Sequence, residues 1–156
     1  MSEPRPGLSP RIAVAFASAG FVALVIAGFG MLSLLTDTEV LPVTGLGQAP
    51  GIVGVVLATL AFVGVTARAA TRGHPRYTAV VPTVAATFLA YLAGVVLGAV
   101  FSGGDPARAI SAAGAFATSW FAVVLASAAL ICGWAAIALV RTRASRPRWP
   151  WENDEP

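Results

Sequence analysis

The chain has 156 residues, of which 57% are apolar and only 11% are charged, a composition outside the range of soluble globular domains. Its net charge of +3 does not indicate nucleic-acid binding, because the basic residues are all arginine and lie in short clusters between long apolar stretches. The one cysteine, Cys132, excludes a disulfide framework or a zinc cluster within a single chain.

Four stretches contain no Asp, Glu, Lys, Arg or His: residues 12–36, 40–67, 77–104 and 109–140. About 20 helical residues cross a bilayer core of about 30 Å, so each stretch is long enough to span once. Lipid offers no hydrogen bonds to the backbone, so each crossing must be helical. The sequence therefore predicts an all-α integral membrane protein, an antiparallel bundle of four transmembrane helices at about 12–35, 51–70, 78–101 and 109–140.

The first helix follows a polar cytoplasmic segment, residues 1–11. Ser9 is placed to cap the helix, with Pro10 at its first position. The apolar run after Arg11 is too long for a signal peptide, and we expect an uncleaved signal-anchor.

The loop after the first helix contains Leu41-Pro-Val-Thr-Gly45. This pattern resembles the L-P-x-T-G signal of sortase substrates, the cell-wall-anchored proteins of Gram-positive bacteria. An apolar stretch and Arg68 follow it, as in that family's sorting signal, but here two further apolar stretches come after. The resemblance implies cleavage between Thr44 and Gly45. The alternative, which we favour, is a Pro/Gly turn in an exposed loop.

The turn between the second and third helices is a basic island with three arginines, and His74 lies within it without a neighbouring metal ligand. We expect His74 to be a solvated turn residue. The third helix begins near Pro75 or near Pro82; in the first case Pro82 would kink its interior.

The third helix carries small residues at a spacing of four: Ala90, Gly94, Gly98 and Ser102. Helices in lipid approach closely along such a stripe. We expect the stripe to pack within the bundle, with oligomer formation as the alternative. Leucine at Gly94 or Gly98 should then clash, whereas leucine at Val95 or Val96, off the stripe, should be mild.

Asp105 and Pro106 form a cap-then-proline start for the fourth helix, which is predicted to run on unbroken. The apolar stretch 109–140 is roughly 48 Å long at about 1.5 Å per residue, longer than the bilayer core is thick. With Trp120 as an anchor at the outer interface, Ala117 to Val140 would span the membrane. Residues 106–116 would extend the helix outside it.

Arginine distribution sets the orientation. Two arginines precede the first helix, three lie in the central turn and four follow the last helix, whereas loop 36–49 has none and the turn 102–108 has one. Both termini are therefore predicted to be cytoplasmic.

The cytoplasmic tail, residues 141–156, combines basic and aromatic residues before an acidic end. Arginines just inside a membrane attract anionic lipid head groups, and tryptophans anchor at the interface. The predicted anchor consists of Arg141, Arg143, Arg146, Arg148, Trp149 and Trp151. A docking segment for a cytoplasmic partner is the alternative.

No catalytic, cofactor-binding or metal-binding residue is predicted. Tyr91 and Cys132 are the titratable side chains within the predicted spans, and proton-coupled or proteolytic membrane chemistry needs carboxylates, histidine or an activated serine. We expect a non-enzymatic accessory or scaffold subunit that acts by lateral helix association with a membrane-protein partner or with a second copy. The alternative is an oligomeric transporter or channel lined by the hydroxyls of Thr83, Thr87, Ser111, Thr118 and Ser119.

In layout and composition, the chain resembles small four-helix integral membrane proteins of unknown function from GC-rich Gram-positive bacteria. The arginine-only basic set and the abundance of Ala, Gly and Val carry this resemblance. It implies a multi-pass protein of the bacterial cytoplasmic membrane and assigns no site residue.

Overall fold

The computed structural model of the chain describes residues 9–41, 47–71 and 77–141. These residues form helices and connecting turns, with no strand among them. The helices are α1 (Pro10–Thr36), α2 (Ala49–Ala70), α3 (Val80–Phe101), α4 (Pro106–Ala117) and α5 (Trp120–Arg141), and a 3-10 turn (Tyr77–Ala79) precedes α3. Four helices are long and apolar enough to cross a membrane: α1, α2, α3 with its 3-10 turn, and α5. The predicted all-helical chain with four long apolar helices is confirmed, and a fifth, shorter helix is added.

Two helix starts follow the predicted cap-then-proline pattern. The Ser9 hydroxyl accepts a hydrogen bond from the Ile12 N–H at 3.4 Å, and Pro10 opens α1. The Asp105 carboxylate accepts from the Ala107 N–H at 3.1 Å, where α4 begins. In each case the side chain satisfies an N–H group that the helix leaves without an intrahelical partner.

The start of α3 differs from the first of the two predicted alternatives. The 3-10 turn ends at Ala79, so Pro82 is the third residue of α3. A first-turn residue has no intrahelical acceptor for its N–H group, and proline costs no hydrogen bond there. Pro82 therefore lies in the first turn of α3 and not in its interior, where it would kink the helix.

The single fourth helix predicted over 109–140 is wrong, because the chain breaks at Thr118 and Ser119 between α4 and α5. The Thr118 hydroxyl donates to the Gly114 carbonyl at 3.3 Å, and the Ser119 hydroxyl donates to the Phe116 carbonyl at 2.7 Å. Serine and threonine side chains compete with helical hydrogen bonds in this way. Here they supply partners for carbonyl groups at the end of α4, and the bend leaves these acceptors satisfied.

The short helix α4 packs back onto the bundle, mainly against α3. Its buried residues follow the i, i+3, i+4, i+7 spacing of one helix face: Ala109, Ala112, Ala113 and Phe116. The opposite face, with Arg108, Ile110 and Ser111, is exposed. The alanines allow close approach, and Phe116 reaches the common core.

The long helices form an antiparallel bundle in which α2 packs most closely on α3, and α1 on α5. Aromatic side chains fill the space between them. Phe21 of α1 stacks on Phe62 of α2, with ring centroids 4.5 Å apart. Phe29 of α1 meets Phe121 of α5 edge-on at 5.6 Å. Aromatic side chains therefore pack the interior where these helices meet.

Candidate functional site

The glycines of α3 face α2 at backbone distance. A Cβ atom on Gly94 would lie 2.6 Å from the Gly54 Cα and 2.8 Å from the Val53 carbonyl oxygen. A Cβ atom on Gly98 would lie 2.8 Å from the Pro50 Cα. Both glycines are buried. They occupy a contact between two helices of the same chain.

The other two members of the predicted stripe lie less deeply. Ala90 is half-buried, and Ser102 is exposed and donates its hydroxyl hydrogen to the Gly98 carbonyl at 2.7 Å. Val95, which the sequence placed off the stripe, is fully buried. Its Cγ2 atom would lie 3.2 Å from a Cβ atom on Gly54. The expectation that leucine is mild at Val95 conflicts with this burial.

A complementary stripe on α2 was not identified from the sequence. Pro50, Gly54 and Ala58 recur every four residues and are all buried in the structure. This spacing of four residues could have predicted a helix-packing stripe on α2 from the sequence. Only the folded chain shows which residues of the two stripes meet: Gly54 meets Gly94, and Pro50 meets Gly98.

The hydroxyls of the transporter hypothesis bond mostly to their own helices. Thr83 and Thr87 are buried and donate to the carbonyls of Ala79 (2.9 Å) and Thr83 (2.7 Å). Thr118 and Ser119 bond within the α4–α5 turn, and Ser111 is exposed. Of these five residues, Thr118 and Ser119 line a common groove.

Tyr91 lies at the centre of the aromatic core. Its ring centroid is 4.1 Å from that of Phe116 and 6.2 Å from that of Phe29, so residues of α3, α4 and α1 meet there. The Tyr91 side chain is fully buried, and its hydroxyl has no hydrogen-bond partner among the described residues. An unmade hydrogen bond of a buried group costs about 1–3 kcal/mol. A second such oxygen is the Thr66 hydroxyl in α2.

Tyr91 also borders a cavity of about 890 Å³ between α1 and α2, at the ends joined by the α1–α2 loop. We call it the loop-side cavity. Its lining is apolar at Phe29 and Val55 and polar at Ser33, Glu39 and Gln48. A concave, mostly apolar space with a few polar groups is the usual form of a small-molecule site.

A shallower groove of about 420 Å³ runs along α3 and α5. Small side chains form much of its wall, among them Ala122, Ala126 and Ser127, together with Val84. Ser127 is exposed and Ala126 is half-buried. This α3–α5 groove therefore opens on the outside of the bundle.

Several predicted features lie outside the described residues. These are His74, residues 42–45 of the L-P-x-T-G match, and five members of the predicted anchor: Arg143, Arg146, Arg148, Trp149 and Trp151. The sixth member, Arg141, is the last residue of α5. Their roles stay predictions from the sequence.

Searches of curated proteins and of solved structures returned no match. Residues 8–156 match a protein family described as a family of unknown function (DUF6121). The matched span includes every helix described above. The chain therefore belongs to this family of unknown function.

Proposed function

We propose that the protein is a multi-pass protein of the bacterial cytoplasmic membrane, with α1, α2, α3 and α5 crossing the bilayer and both termini in the cytoplasm. The bundle's outer surface supports this placement, because large apolar side chains are exposed along it: Phe16, Ile26, Leu34, Ile52, Leu60, Leu89 and Ile131. Soluble proteins rarely expose so extensive an apolar surface. The arginine distribution supplies the direction of threading.

Single cysteines test the threading, in a Cys132→Ala background. Thr38, after α1, and Thr71, after α2, are both exposed. We expect Thr38→Cys to react with a membrane-impermeant maleimide in intact cells, and Thr71→Cys to react only after permeabilisation. Labelling of Thr71→Cys from outside would overturn the orientation.

We propose further that the protein is not an enzyme and acts as an accessory or scaffold subunit through contacts on its surface. The observation that carries this is the packed interior. Aromatic side chains fill it, and the buried hydroxyls of Thr83 and Thr87 bond to their own helix. Apart from the loop-side cavity, whose lining lies at one end of the bundle, an interior of this kind leaves little space for a solute path through one chain. The surface remains as the part that can act.

The α3–α5 groove is where such a contact would form, because small residues let a further helix approach closely. Purification of the full chain in mild detergent, with identification of co-eluting proteins, tests this. We expect a stoichiometric membrane-protein partner that is lost in Ala126→Leu and kept in Gly64→Leu. Gly64 has open space around its Cβ position and lies on another helix.

A pure homo-oligomer that passes a solute in liposomes would contradict the accessory role and favour the transporter hypothesis.

The arginine-rich tail adds contact with anionic lipid head groups at the cytoplasmic face, worth about 1 kcal/mol for each arginine near the surface. In nanodiscs of mixed lipids, removal of the tail should lower the enrichment of phosphatidylglycerol around the chain.

A further inference from the structure

We propose that the loop-side cavity binds one lipid molecule, an amphiphile with an apolar chain and a zwitterionic head group that carries an ammonium. The inference rests on the membrane placement proposed above but not on the accessory role. Three independent features of the cavity carry it: its floor, its side opening and its rim.

The floor combines an apolar surface with one unmet hydrogen bond. Phe29 and Val55 supply apolar contact, and the Tyr91 hydroxyl has no hydrogen-bond partner among the described residues. Its oxygen has almost no accessible surface in this structure, so a shift of the side chains that cover it would let an ester carbonyl of a lipid accept the Tyr91 hydrogen. The volume of about 890 Å³ lies within the range of about 300–1,000 Å³ typical of ligand sites.

The side opening determines where the ligand comes from. Ile52 and Val56 of α2 line the cavity, and their side chains are 61% and 50% exposed, so the cavity is open along α2. In the proposed placement, exposed apolar side chains of a spanning helix face lipid. An apolar chain can therefore enter sideways from the bilayer, which favours a lipid over a water-soluble solute.

The charge at the rim of the cavity determines which lipid head group it favours. Glu39 is the one carboxylate among the described residues that line the cavity, and the neutral Gln48 lines it as well. Asp37, two residues before Glu39, is exposed as well. These carboxylates attract an ammonium and repel a head group whose net charge is negative. For an exposed ion pair we expect a preference of about 1.5- to 5-fold.

Photo-crosslinking of the full chain in lipid nanodiscs tests the site. The probe is phosphatidylethanolamine with a diazirine in its acyl chain, compared with phosphatidylglycerol that carries the same chain. We expect cross-links from phosphatidylethanolamine to concentrate on residues 48–56 of α2. The preference for this lipid should disappear in Glu39→Gln.

Gly51→Phe blocks the cavity in a matched experiment. A Cβ atom on Gly51 would meet only the Leu41 Cδ1 atom, at 3.7 Å, so the new ring has room to enter the cavity. Cross-linking at residues 48–56 should be lost. Gly64→Phe, the same change in the same helix at a position with open space, should keep it.

Tyr91→Phe removes only the unpartnered hydroxyl. We expect cross-linking to fall about 2- to 10-fold, the weight of one hydrogen bond. The melting temperature without added probe should not fall, which separates a ligand contact from a structural role. Labelling spread over all exposed faces, and unchanged in Gly51→Phe and Tyr91→Phe, would overturn the proposal. That result would leave the cysteine test of threading intact.

Discussion

The two sides of α2 meet their neighbours in opposite ways. Toward α3, Gly54 and Pro50 lie so close to Gly94 and Gly98 that an added Cβ atom would overlap backbone. Toward α1, near the same end of α2, the helices separate around the loop-side cavity, and Gly51 has room for a side chain. Glycine therefore allows close helix contact on the α3 side of α2 and borders open space on the α1 side.

This difference indicates where the bundle's stability lies. Lipid is as apolar as leucine, so helices in a membrane associate through close packing rather than through the hydrophobic effect. The α2–α3 contact provides that packing. The part of the α1–α2 contact around the loop-side cavity does not, so a ligand there would leave the α2–α3 pair in place.

The largest expected effect is at Gly94. Gly94→Leu places a side chain against the Gly54 backbone, which cannot move without shifting α2. Overpacking of a core costs about 1–3 kcal/mol where side chains can adjust, and more is expected here because backbone is involved. We expect loss of the folded monomer, measured as low membrane abundance and early elution in size-exclusion chromatography.

Gly64→Leu is the matched control, because the Gly64 Cβ position has no atom within 4 Å. It should express and elute like the natural chain. Survival of the Gly94→Leu monomer with loss only of an assembled species would instead place Gly94 at an interface between copies. Unchanged abundance and assembly would mean that Gly94 does not lie against a helix.

Much of the fold was predictable because it depends on local chemistry. Uncharged stretches of sufficient length predict long apolar helices, and the caps at Ser9 and Asp105 depend on neighbours within three residues. The break between α4 and α5 at Thr118 was harder to predict from the sequence. A hydroxyl pair within an apolar run is compatible with a straight helix, and only the packing of α4 onto α3 favours the bend.

The candidate site was less accessible from sequence. Residues of α1, α2 and α4 surround the Tyr91 ring, and none of these is near it in sequence. Val95 illustrates the same limit. It lies off the glycine stripe in spacing, yet it is buried because α3 has neighbours on more than one side.

A smaller effect is expected where α1 meets α5. A Cβ atom on Gly28 would lie 2.5 Å from the Val124 Cγ1 atom, so the obstacle is a side chain and not backbone. Gly28→Ala alone should lower the free energy of unfolding by about 1–2 kcal/mol. Adding Val124→Ala makes room, and the pair should be more stable than the sum of the single changes predicts, by about 1 kcal/mol.

The corresponding pair on the α2–α3 side sharpens the comparison. Gly94→Ala should not be relieved by Val53→Ala, because the nearest atoms to a Gly94 Cβ atom belong to the backbone of α2. Thermal unfolding in mild detergent measures all of these variants. Equal rescue of both glycine substitutions would contradict the distinction between backbone and side-chain contact.

The smallest expected effect is a gain in stability, whereas the changes above lower it. Gly51→Ala adds a methyl group where only the Leu41 Cδ1 atom lies nearby, at an ordinary contact distance of 3.7 Å. Alanine in a helix is favoured over glycine by up to about 1 kcal/mol. We expect a rise of roughly 2 °C in melting temperature, given about 2–4 °C per kcal/mol for a chain of this size. Gly98→Ala should lower it, because its methyl group would lie 2.8 Å from the Cα of Pro50, the residue next to Gly51. If both alanine substitutions lower the melting temperature, the loop-side cavity is not open space around Gly51, and the contrast between the two sides of α2 fails.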